Sequence, residues 1–151
     1  MADVFWNAEY NQIVDGLVRP GDEKGRKVFE TNRDVIKFAA CLGWKKNRKE
    51  PRGANSLAIP MRIFESSKDQ DLIWLIALMN ARDVEILRKD EYHDREREAI
   101  SIFEEYANGG LSLMSEWLSG LPTSDFQTTV IEKISFQFRE EIKLGDNPIE
   151  F

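Results

Sequence analysis

The chain predicts a mainly α-helical protein, one compact domain of five or six helices with one or two short extended segments. Three observations carry that expectation. Apolar residues recur at three- and four-residue steps along most of the sequence. Glycine, proline and small polar residues separate these runs. The 151 residues match one domain and suffice to bury about two-thirds of the unfolded surface. An apolar fraction of 42% beside 32% charged residues excludes general disorder.

Taken in order, Asn7 to Val18 reads as a first helix, with Tyr10, Ile13, Val14 and Leu17 on one face and Arg19-Pro20-Gly21-Asp22 as its stop. Lys27 to Glu30 suits a brief strand or extended lead-in. Thr31 to Asp34 opens the second helix, because a hydroxyl or amide there accepts a free N–H and an early Asp suits the helix dipole. Val35, Phe38, Ala39 and Leu42 continue it, and Gly43 is the expected C-terminal cap. Lys45 to Ser56 reads as a polar loop, and Leu57 to Phe64, interrupted by Pro60, as an extended segment on the core.

Ser66 and Ser67 precede a third helix over Asp69 to Arg82, apolar almost all round and therefore expected to be covered on most sides. Asp83 to Leu87 is a short further turn. A fourth helix runs from about Asp94 to Asn108, and Gly109-Gly110 is expected to break or kink it. Leu111, Met114, Trp117 and Leu118 mark a fifth helix that Gly120 and Pro122 end. The last helix, capped by Thr123-Ser124-Asp125, reaches about Lys143 with a stripe of Phe126, Val130, Ile134 and Phe138, Ile131 alongside. Residues 146–151 read as a loose tail.

Net charge is −6, but the sign is segregated along the chain. Lys24 to Arg52 holds ten Lys/Arg against three Asp/Glu, while the flanking stretches are acidic. Lys45, Lys46, Arg48, Lys49 and Arg52 form the densest basic cluster, with Trp44 beside it and Arg33 and Lys37 on the preceding helix. Cations at that spacing neutralise phosphates and an indole stacks on bases, so these eight residues are the candidate surface for a nucleic acid or an acidic partner. The plain alternative is a solvated loop whose charges favour the C-terminus of their helix.

Other chemistry is thin. Glu91, His93 and Asp94 offer metal-ligand types, but the chain has one histidine and one cysteine, too few for the usual transition-metal sets. No metal and no cofactor is expected. Cys41 reads as a small buried side chain, since reactivity needs an exposed, electropositive setting. Glu104-Glu105 are neighbours on a helix and point in different directions. An enzyme would have to gather distant groups such as His93, Glu104 and Tyr106, and no catalytic constellation is legible, so none is expected. The start of the chain lacks the basic and apolar stretches of a signal peptide, and Leu72 to Met79 is far shorter than the roughly 20 residues that span a bilayer. A cytoplasmic location away from membranes is the expectation.

Ile102 to Leu111, reading Ile-Phe-Glu-Glu-Tyr-Ala-Asn-Gly-Gly-Leu, does not look like generic helix. It resembles a motif of the small proteins called dnd system-associated protein 4, or DNA phosphorothioation-associated protein 4. Asp34 to Gly43 with the basic stretch after it is similar to a second segment of that family, and the apolar helix Asp71 to Met79 lies between. The likeness spans about residues 26–120, the Tyr106 to Gly110 block being its most specific part.

The resemblance implies a protein encoded with bacterial systems that replace a phosphate oxygen of DNA with sulfur and restrict unmodified invading DNA. It implies no catalytic residue. The expectation is an accessory, non-catalytic interaction protein of such a modification and anti-phage defence system, binding protein subunits of the complex. Glu104, Glu105 and Asn108 are then candidates for docking. A small DNA-binding or regulatory module working through the 45–52 loop is the alternative, and a homodimer stays open until the fold shows which apolar residues are exposed.

Overall fold

The computed structural model describes residues 3–19, 28–81 and 94–145. Six α-helices and a two-stranded antiparallel sheet make up the described residues. Strand β1 (Asp3–Asn7) leads through a 3-10 turn into helix α1 (Asn11–Leu17). Helix α2 (Asn32–Lys45), strand β2 (Ser56–Pro60) and helices α3 (Met61–Ser66) and α4 (Gln70–Ala81) follow. Helix α5 (Asp94–Leu118) is the longest, and α6 (Phe126–Gly145) closes the order after a 3-10 turn.

Helix α5 is the hub. It packs on α2, α4, α6, α1 and β1, and its Ala99, Ile100, Phe103, Ala107, Leu111, Met114 and Leu118 are all buried. Those positions fall on the three- and four-residue steps expected of a helix with a core-facing stripe. Around them lie Val35, Ile36 and Ala39 of α2, Ile73 and Ile76 of α4, Val14 and Leu17 of α1, Phe64 of α3, and Phe126 and Val130 of α6. Phe64 meets Phe103 edge to face at 6.1 Å between ring centres.

Helix α2 starts as expected. Thr31 Oγ1 accepts the Asp34 N–H and the Asp34 carboxylate accepts the Thr31 N–H, each at 3.2 Å, so two otherwise free donors are satisfied reciprocally. Its end differs from expectation. Gly43 is inside the helix, and Asn47 (φ 53°) takes the left-handed position instead. The Arg48 N–H reaches the Gly43 carbonyl at 2.8 Å and the Asn47 N–H the Trp44 carbonyl at 3.1 Å, the bonding of a Schellman cap.

Gly109-Gly110 does not break the helix, and the two expected helices are the single α5. Both glycines serve close approach. A Cβ on Gly110 would sit 1.8 Å from the Ala39 carbonyl oxygen, one on Gly43 2.0 Å from that of Tyr106, and one on Gly109 2.0 Å from that of Arg48. With Ala39, Ala40 and Ala107 buried nearby in sequence, the α2–α5 crossing is a small-residue seam.

Three more expectations need correction. Strand β1 departs from the expectation that starts the first helix at Asn7: Asn7 ends the strand, and the helical residues begin after it. It pairs with β2 in the register Val4↔Ile59 and Trp6↔Leu57. The extended segment expected over Leu57 to Phe64 stops at Pro60, and Met61–Ser66 is helical. Helix α4 is covered on most sides as expected, with Ile73, Ile76 and Ala77 buried and Leu72, Trp74, Leu78 and Met79 half-buried against the core, but Leu75 is 49% exposed. Residues 28–30 form no strand, whereas Lys27, the turn at 83–87 and the 146–151 tail lie outside the described residues. No helix of the described residues is long and apolar enough to cross a membrane.

Candidate functional site

The motif on α5 holds the start of the chain. The Phe5 N–H donates to Glu104 Oε2 at 2.6 Å and the Asn7 N–H to Asn108 Oδ1 at 2.9 Å. Residues four apart on a helix rise about 6 Å, and residues two apart on a strand about 6.6 Å, so one pair of side chains serves both strand donors. The carboxylate and the amide stand where a third strand would otherwise pair, which covers the edge of β1. Glu104 is 2% exposed and Asn108 fully buried. These two residues, expected on a docking surface, face inward instead, and Glu105 is half-buried.

The basic loop closes over the same helix. Arg52 donates to Glu104 Oε1 at 2.9 Å and lies 4.2 Å over the Phe5 ring. The Glu50 N–H donates to the Glu105 carbonyl at 2.9 Å. Asn7 ties loop to strand: its Oδ1 accepts the Gly53 N–H at 2.6 Å and its amide donates to the Pro51 carbonyl at 3.1 Å. The Tyr10 hydroxyl donates to Glu50 at 2.5 Å, and burial together with that carboxylate pushes the phenol up to about 12. Burial raises the Glu104 carboxyl above its ordinary value, and the Arg52 guanidinium and Phe5 N–H offset this in part.

Most of the candidate cations spend their charge inside the molecule. Arg33 and Lys37 both meet Asp69, at 3.1 and 3.0 Å. Burial opposes the Asp69 charge, but Ser67, Lys37 and Arg33 outweigh it and hold the carboxyl below its ordinary value. Lys45 pairs with Glu141. Arg48 reaches Glu116 at 2.7 Å and Ser112 at 2.8 Å, and the Arg48 contact lowers the Glu116 carboxyl. Lys49 lies 5.0 Å over the Tyr106 ring. Of the seven cations, Lys46 is the one with no such partner among the described residues. The basic run therefore meets acids drawn from the acidic remainder of the chain, and the segregation along the sequence is largely cancelled in space.

The remaining candidates separate. Trp44 is 41% exposed on α2. Cys41 is exposed where α2 faces α6, a correction to its expected burial, and partial desolvation still raises its thiol while Lys37 lowers it. The Tyr106 hydroxyl donates to Asn80 at 2.8 Å, so it and Glu104 work on different neighbours. Glu91 and His93 lie outside the described residues. Among the described residues no three His, Cys, Asp or Glu gather as a metal site.

Sequence reasoning missed the surface of α6. Its Phe126 and Val130 are buried as expected, but Ile131, Ile134, Phe136 and Ile142 are exposed, Phe136 by 65%. An open cleft of about 440 Å³ lies along this helix, lined by Lys46, Trp117, Lys133, Phe136, Gln137 and Glu140 with Glu141. A smaller one of about 190 Å³ lies between α2 and α6 at Phe38, Cys41, Leu42 and Ile134. The aromatic Phe136, off the apolar stripe of its own helix, was the available signal.

No curated protein and no solved structure matches the chain. The family model described as DNA sulphur modification system-associated protein 4 matches residues 6–143, taking in the α5 motif, the α2 segment, the loop and the last helix. The chain belongs to that family, which is associated with DNA sulphur modification systems.

Proposed function

We propose that this protein is an accessory, non-catalytic component of a DNA phosphorothioation-linked modification and anti-phage defence system, acting by binding a protein subunit of that system. The observation that carries the reading is the cleft beside α6. Trp117 and Phe136 offer apolar and aromatic surface, Lys46 and Lys133 stand at the rim, and the cavity of about 440 Å³ is open to a partner's side chain. Contiguous apolar exposure with a polar rim is the surface pattern of protein association. Binding there needs no catalytic group, and the titratable groups of the α5 motif are engaged in holding β1 and the loop.

The ion pairs favour this reading over DNA contact. A phosphate-binding surface gains affinity from cations that release counterions, and six of the seven candidates already face a carboxylate or a ring. Tagged protein recovered from a host carrying the modification system is expected to bring subunits of that system with it. Phe136→Asp is expected to abolish the capture, while folding is unchanged at so exposed a position. Recovery of wild-type protein without any such subunit overturns the proposal.

A further inference from the structure

Helix α6 carries a second apolar edge that the cleft does not use. Ile131 and Ile142 are eleven residues apart, three turns of helix and about 16 Å, so they lie on one edge. They are 48% and 47% exposed. Phe136, which lines the cleft, is turned more than 100° away from that edge at 100° per residue. Glu132 and Arg139 flank the edge on one side, both exposed and without an ion pair among the described residues. They are seven residues apart, close to two turns, and so lie beneath one another.

The spacing is self-complementary. The midpoint of Ile131 and Ile142 and that of Glu132 and Arg139 coincide within one residue, about 1.5 Å of rise. A second α6 laid antiparallel across a two-fold axis at the height of residue 136 therefore sets each Ile131 against Ile142 of the other copy. The same operation sets each Glu132 against Arg139 of the other copy, twice by symmetry. A parallel arrangement, with its two-fold axis along the helices, would carry these flanks to opposite sides of the contact and form neither pair, so the charges select the antiparallel direction. We infer that the outer edge of α6 is a homodimer interface in which two copies pack antiparallel through Ile131 and Ile142, with Glu132 and Arg139 fixing direction and register. Each protomer then keeps its own cleft open, so the two surfaces act independently.

Sedimentation velocity on the purified full chain tests this without any other partner present. The expected result is a concentration-dependent shift from 17.5 kDa to twice that mass. Glu132→Arg alone is expected to weaken dimerisation roughly tenfold, since two exposed pairs become repulsive. The double variant E132R/R139E restores the pairs with signs exchanged and is expected to recover wild-type dimerisation. Ile131→Asp with Ile142→Asp is expected to stay monomeric with unchanged circular dichroism. A wild-type monomer at about 100 µM, or a charge-swapped double variant no better than E132R, overturns the inference. Capture of modification-system subunits by a monomer would do so too for the dimer while leaving the proposed function standing.

Discussion

Gly43, Gly109 and Gly110 let α5 approach the backbone of α2 and of the loop after it, and Glu104 and Asn108 hold β1. Alanine is the better helix former by about 1 kcal/mol, so local propensity alone expects Gly110→Ala to stabilise α5. The seam expects the opposite sign. A methyl 1.8 Å from the Ala39 carbonyl oxygen forces α2 and α5 apart, and overpacking of this kind typically costs about 1–3 kcal/mol. Urea unfolding of the Gly110→Ala and Gly43→Ala variants is the check, with a clear fall in midpoint expected for both. Asn108→Ala strips the acceptor from the buried Asn7 N–H and is expected to cost about 2 kcal/mol in the same assay.

Glu104 carries a pH signature. Burial raises its folded-state carboxyl above the unfolded value. The folded protein then binds the proton more tightly, and stability from this group falls as pH rises from the unfolded to the folded value. Wild type is therefore expected to gain stability relative to Glu104→Gln as pH falls from 7 into the carboxylate range. Melting temperatures of the two proteins at a series of pH values read this directly. An unchanged gap would contradict the burial argument.

At the scale of elements, the parts written in local chemistry were legible and those written across the chain were not. The Thr31/Asp34 capping box, the loop after α2, α4 and the buried start of α6 follow from neighbouring residues and helical spacing. Gly43 and Gly109-Gly110 were misread because glycine serves both turns and close approach, and one chain position does not say which. The small residues on both helices, Ala39-Ala40 before Gly43 and Ala107 before Gly109, were the missing clue. The loop cations misled for a related reason: Arg48 and Arg52 find Glu116 and Glu104 68 and 52 residues away, and composition cannot show that pairing. Strand β1 is five residues long and depends on Glu104 and Asn108 for its outer donors, so no pattern within it announced a strand.

The loop makes its own prediction. Arg52→Ala leaves Glu104 buried without its cation, and Arg48→Ala frees an exposed carboxylate. The first is expected to lower stability more than the second, because exposed pairs contribute about 0–1 kcal/mol while an uncompensated buried charge costs more. Fluorescence anisotropy of a labelled DNA duplex is expected to report little binding at physiological salt. Tight, salt-sensitive binding that neutralising Lys45, Lys46 and Lys49 removes would restore the DNA-contact reading.

For the whole molecule, membership of the DNA sulphur modification system-associated family sets the context, and the surface suggests how the protein works within it. The closely packed α2 and α5, tied to strand β1 and the basic loop, carry α6 as an apolar, partly uncovered flank. The most direct measurement is affinity capture from a host that carries the modification system, with wild type and Phe136→Asp purified side by side and the captured proteins identified by mass spectrometry. Subunits of the system with wild type, and their loss with Phe136→Asp, is the expected result. Wild type that retains none of them, or a Phe136→Asp variant that retains them undiminished, would contradict binding at the α6 cleft.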